Sequence, residues 1–160
     1  LRAGVIEDRH RRAAGDSAHS RLFAYGTLMF PEVRRAVIGD DPATAPVVLA
    51  GYGRYTVRHP HLAPFPAIVP HPDQEVAGVL LYDLDGVARD ALDQFERIDA
   101  GLYRKVELSV RDRAGRALTA VSYVAGPGIA SHLHGPWDPE AFRRNQLASF
   151  MERVFGRTWL

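Results

Sequence analysis

Phe23-Ala24-Tyr25-Gly26-Thr27-Leu28-Met29-Phe30, followed at once by Pro31, is the stretch on which the reading of this chain turns. Leu22 to Tyr25 is a short apolar run with no helical period, and it predicts a buried strand that Gly26 ends. Pro31 suits the first turn of a helix, because the amide it lacks would have no partner there. Val33, Ala36 and Val37 then recur at helical spacing, and Gly39 closes the segment. The first unit is therefore strand, tight glycine turn, short helix. Such a turn leaves consecutive backbone N–H groups without partners, beside the positive end of a helix, and so favours an anion. A substrate carboxylate would suit it. Taken alone, the same pattern is more often a plain structural turn.

Outward from this unit, Val47 to Val57 is β-rich, with Gly51 and Gly53 marking a bulge or a close backbone approach. His59 to Pro72 holds five prolines around Ala67-Ile68-Val69 and reads as loop with one short strand. Val76 to Leu84 is a strand. Val87, Ala91, Leu92 and Phe95 share one face of a helix over 86–95 that ends near Glu96. Tyr103 to Val110 and Leu118 to Val124 alternate as half-buried strands around a turn at 112–116, forming a hairpin. Asp138-Pro139 starts a terminal helix as N-cap and first residue, with Phe142, Leu147, Phe150, Met151 and Val154 on its apolar face and Gly156 at its end. Strands outnumber helices and no regular crossover helices separate them, so the expectation is an α+β domain and not a doubly wound parallel sheet.

The bulk composition bounds the function. A chain of 160 residues, 46% hydrophobic and 24% charged, is one domain's worth of ordinary globular protein. A chain this long buries roughly two-thirds of its unfolded surface, enough for a core without metal or disulfide. Twenty basic against nineteen acidic side chains give a net charge of +1, with no argument for a nucleic-acid partner. With no cysteine there is no disulfide framework, Cys nucleophile or thiolate metal site, and a reducing cytoplasm is the expected compartment. No apolar run is long enough for a signal peptide or a membrane span. Residues 1–20, rich in Arg, His, Asp and Ala, are expected to be a flexible leader, with residues 21–160 as the single domain.

No P-loop and no G-x-S-x-G elbow occurs. Gly51-Tyr52-Gly53 begins like a dinucleotide fingerprint but lacks its third glycine. The pairs His59/His61 and His132/His134 invite a metal, yet no third-ligand motif joins them, and exposed loop histidines are the better account. A second candidate feature is Leu92-Asp93-Gln94-Phe95-Glu96, followed by Tyr103. Glu96 stands where an apolar helix face ends; a carboxyl held against such groups is pushed upward in pKa, as a general base requires. It reads equally as a solvated glutamate after a helix. Asp93, Asp99 and Glu107 are read as solvated surface carboxylates.

Taken together, in this order, Tyr25-Gly26-Thr27-Leu28, then Leu92-Asp93-x-Phe95-Glu96, then Tyr103-x-x-x-Glu107 resemble the γ-glutamylcyclotransferase-like family in its AIG2-like branch. Phe65-Pro66-Ala67-Ile68-Val69-Pro70, Val76-x-Gly78-x-Leu80, Ser122-Tyr123-Val124 and the segment from Trp137 to Phe155 extend the resemblance over about residues 21–155. It implies a small mixed β-barrel flanked by helices. It also implies a cofactor-free, metal-free reaction in which the α-amine of a γ-glutamyl group attacks its own γ-amide carbonyl, giving 5-oxoproline and an amine. Glu96 matches the family's catalytic glutamate. Tyr25, Gly26, Thr27, Leu28, Met29 and Phe30 match the binding loop, the backbone N–H groups of Gly26 to Met29 holding a carboxylate or oxyanion. Tyr103 and Tyr123 match pocket walls. The implied partner is a small γ-glutamyl compound, with the protein a monomer or weak homodimer. A non-catalytic binding domain on the same fold, or an enzyme that removes a γ-glutamyl cap from a biosynthetic intermediate, are the other readings.

Overall fold

A computed structural model describes residues 18–97 and 101–156. Of the expected leader, residues 1–17 lie outside the described residues, as does Asp99. Ala18 to Ser20 form a turn: the Ala18 carbonyl accepts from the Arg21 amide at 3.4 Å, and Ser20 O accepts from the Leu84 amide at 2.9 Å.

The strands are β1 (Leu22–Ala24), β2 (Thr44–Val57), β3 (Phe65–Leu81), β4 (Tyr103–Asp112), β5 (Ala117–Ala125) and β6 (Leu133–Pro136). The helices are α1 (Pro31–Ile38), α2 (Gly86–Phe95), α3 (Pro139–Asn145) and α4 (Leu147–Phe155). The strand order β3-β1-β5-β4-β2 is closed by pairing of β2 with β3, giving a five-stranded barrel, and β6 extends from the far end of β2. Only the β1–β5 pairing is parallel among these ladders, so the barrel is mixed, as expected.

Period-two alternation then builds two cores from one sheet. Phe23, Ile68, Leu80, Ala120 and Val124 fill the barrel. Leu22, Ala67, Leu81, Val121 and Tyr123 face outward, where Leu92, Phe142 and Met151 of the helices cover them.

The described structure corrects the reading of the secondary elements and their faces in four places. The proline-rich stretch is loop only to Pro64; Phe65 to Pro70 pairs with Tyr52 to Val57 as the first half of β3. β1 pairs only with Val79 to Leu81, so the other edge of that half carries no strand. Prolines are tolerated at such an edge because their missing N–H takes no ladder bond there. The terminal helix is two, broken at Gln146 (φ −133°). The His132–His134 segment belongs in part to a strand, since Leu133 to Pro136 pairs with β2. Finally, Val87 and Val154, both placed on apolar helix faces, are 80% and 44% exposed. Among the described residues, no helix is long and apolar enough to cross a membrane.

Candidate active site

β1 ends at Ala24, and the chain turns at Gly26 into a single 3-10 turn, Thr27–Met29, before α1. Glycine is needed there because a Cβ on Gly26 would stand 2.6 Å from Cγ of Pro66. Within the turn the Met29 amide donates to Gly26 O (3.0 Å) and the Phe30 amide to Thr27 O (3.2 Å). The amides left without a backbone acceptor among the described residues are those of Gly26, Thr27 and Leu28, the orphan donors expected at a helix start. The expectation of a free amide at Met29 is thereby corrected.

Two arginines hold this turn from its carbonyl side. Buried Arg34 of α1 donates through Nη1 to Leu28 O (3.1 Å) and Met29 O (2.8 Å), while its Nε pairs with Asp41 at 2.8 Å. Arg54 of β2 donates to Tyr25 O and Ala77 O, both at 3.0 Å, and to Trp137 O at 3.2 Å. With the carbonyls occupied, the orientation of the free amides is fixed.

Glu96 caps the C-terminus of α2. Asp85 starts that helix by accepting from the Ala88 amide (2.8 Å), buried Leu92 anchors it, and the Glu96 amide donates to Leu92 O (2.9 Å). The residue is half-buried, and its apolar surroundings push the carboxyl up from the ordinary 4.5 to about 8. No hydrogen bond reaches that carboxyl from the described residues.

Tyr25, Gly26, Thr27, Leu28, Glu96, Tyr103 and Tyr123 line one cavity of about 320 Å³. Met29 and Phe30 stand outside its lining; Phe30 packs its ring on Phe142 at 5.6 Å. The three tyrosines are buried, and burial, reinforced by the nearby Glu96 charge, raises the pKa of each. Their protons are committed: Tyr25 donates to Tyr123 O, Tyr103 to Pro66 O (2.6 Å), and Tyr123 to Asp93 Oδ1 (2.7 Å). These rings are walls held in place by their own hydroxyls. Glu96 is the group among them that titrates near neutrality.

Asp93 is not the solvated carboxylate that the sequence suggests. It accepts from the Tyr123 hydroxyl and pairs with Lys105 Nζ at 3.1 Å. The signal lay in the hairpin register: a turn at 112–116 sets Lys105 opposite Tyr123. Asp93 lies three residues before Glu96, on the neighbouring face of α2. Arg34 and Arg54 carried no comparable signal. Glu107 is exposed, with His19 at 3.5 Å. His59 has its ring centroid 6.0 Å from that of His61 and 5.1 Å from that of His132. Among the described residues no group of three or more His, Asp or Glu side chains is arranged to hold a metal ion.

The arrangement offers three chemical means at once: a protonatable carboxyl, amides for an anion, and apolar walls. Comparison with known proteins points the same way. Residues 22–139 match the family model described as γ-glutamyl cyclotransferase, AIG2-like. AIG2-like protein D of Arabidopsis thaliana is 26% identical over 133 residues, covering 82% of this chain and 84% of that protein. Two solved structures share the fold. One is a γ-glutamyl cyclotransferase (TM-score 0.63, 17% identity, 87% of each chain); the other is an Arabidopsis thaliana protein solved in solution (TM-score 0.61, 22% identity, 83% of this chain and 86% of that one).

Proposed function

The chain belongs to the AIG2-like γ-glutamyl cyclotransferase family, and on that premise we propose that it cyclises a γ-glutamyl group to 5-oxoproline and releases the amine, using Glu96 as general acid and base. One observation supports this above all: Glu96 shares a single cavity with the free amides of Gly26, Thr27 and Leu28.

The substrate's α-nitrogen and γ-carbonyl are already in one molecule, so folding the chain back supplies much of the rate. Glu96 takes a proton from the α-ammonium. The freed amine attacks the γ-carbonyl carbon, forming the ring C–N bond. As the old C–N bond breaks, Glu96 gives that proton to the leaving nitrogen, then takes the second proton from the ring nitrogen and passes it to the released amine, which departs as an ammonium. The amides of Gly26 to Leu28 hold the α-carboxylate or the oxygen that gains charge in the transition state. A carboxyl with a pKa of about 8 suits both halves of this cycle, since its two protonation states are close in energy near neutrality. Turnover should accordingly rise with pH up to about 8, where the base form becomes the majority.

The test is 5-oxoproline measured by mass spectrometry after incubation with γ-glutamyl amines and dipeptides, with Glu96→Gln alongside. The variant should fold and bind but lose turnover by roughly 10²–10⁴-fold. Undiminished turnover in Glu96→Gln would sink the mechanism. A wild type that makes no product from any substrate, yet is stabilised by them, would instead be a binding domain on this fold.

A further inference from the structure

Resting on the cyclisation reading, we infer that the enzyme selects leaving amines that combine an apolar body with an anionic group, and that Arg97 and Arg153 recognise the anion. The cavity wall is chemically divided. The turn at Gly26 to Leu28 and Glu96 serve the glutamyl half. The remaining wall includes Phe95, Phe150 and Val154, with Arg97 and Arg153 beside them.

Arg97 follows Glu96 directly and is held at φ 55°, a left-handed backbone that non-glycine residues seldom adopt and that fixes where the side chain leaves the chain. Arg153 stands in the last turn of α4, its guanidinium carbon 5.7 Å from the Phe150 ring centroid, so an aromatic face steadies it. The two helix ends are joined beneath them by stacked Phe95 and Phe155, 6.2 Å apart. Both arginines are exposed, and neither pairs with a carboxylate among the described residues, whereas Arg34, Arg35, Arg116 and Arg143 each do.

Glu96 is the one carboxyl among the lining residues, so the wall carries two fixed positive charges and no permanent negative one. The substrate's own α-carboxylate is already provided for by the amides. The arginines are therefore surplus to the glutamyl half and face what is attached to it. Val154 fits the same account: an exposed apolar residue at the cavity becomes covered when an apolar leaving group lies on it.

γ-Glutamyl-phenylalanine and γ-glutamyl-phenylalaninamide are nearly equal in size and differ in one negative charge. Their kcat/KM ratio, read as 5-oxoproline formation, should favour the carboxylate by about tenfold, the scale of charge-assisted contacts at a wet rim. Raising the salt concentration should shrink that ratio. In Arg97→Gln/Arg153→Gln the ratio should fall to within about twofold of unity, mainly through KM, while the double lysine variant keeps most of the preference because it keeps the charge. A wild type that turns over both compounds equally, or a ratio untouched in the glutamine variant, overturns this inference and leaves the cyclisation reading standing. Product from neither compound, nor from any other γ-glutamyl amide, ends the cyclisation reading and this inference with it.

Discussion

β1, the two ends of β3 and the C-terminal half of β5 are largely buried on both faces, yet neighbouring residues along them end in unlike surroundings. Phe23, Ile68, Leu80 and Val124 enter a barrel interior built from strands alone. Ser122 follows the same alternation and gives its hydroxyl to Phe23 O at 2.8 Å. Leu22, Ala67, Leu81 and Tyr123 point the other way, into a core shared with helices that cover it incompletely. The cavity forms on that second side, where helix ends and loop backbone bring in polar groups. Tyr25 joins the two: it packs with the inner core, but its hydroxyl donates to Tyr123 O beside the cavity. One face of the sheet is filled and sets stability, while the other is left open and holds the candidate site.

The largest test of that division is Leu80→Ala. Leu80 is fully buried in the barrel and does not line the cavity, and its truncation should cost about 2–5 kcal/mol in denaturant unfolding. The fraction that remains folded should keep its KM. A changed KM in the folded fraction would break the separation between interior and site. Asp93→Asn is the smaller counterpart on the open face. It removes the charge opposite Lys105 but leaves an acceptor for Tyr123, so a loss of about 0.5–1.5 kcal/mol is expected, discounted for partial exposure. A loss as large as that of Leu80→Ala would mean that the open face also carries the fold.

The test most diagnostic of the site depends on pH. Glu96 has a folded-state pKa raised from 4.5 to about 8, so folding favours its protonated form. Below pH 4.5 the carboxyl is protonated folded or unfolded and costs nothing. As the pH rises, the unfolded chain ionises first, and stability falls until about pH 8, beyond which the penalty is constant. Glu96→Gln should therefore melt about 10 °C above the wild type at pH 9, discounted for partial exposure, and together with it at pH 4. Melting curves that stay parallel at both pH values would show that the carboxyl is well solvated.

Much of this was legible in the chain, for reasons tied to range. The unit from Leu22 to Gly39 depends on a glycine, a proline and a few apolar residues close in sequence. The structure follows that reading down to the Gly39 cap at φ 76°. α2 and the β4–β5 hairpin are equally local. The first half of β3 runs beyond the short strand expected around Ala67-Ile68-Val69, because proline is a poor strand former by itself and its place depends on β2 on one side and no strand on the other. Val87 has the right helical period, but period says which face a residue shares and not whether anything covers that face.

The sequence by itself determined the local elements and, through two short motifs in order, the family and its barrel. Only the tertiary structure decided which amides of the turn are free, that Asp93 is tied to Tyr123 and Lys105, and that Arg34 and Arg54 hold the loop by its carbonyls. It alone set Glu96, Tyr25, Tyr103 and Tyr123 around one cavity. The physical reason is that a carboxyl's pKa and an amide's availability depend on which groups exclude water and which accept the bond. Those groups come from segments far apart in the chain, so no local pattern can specify them.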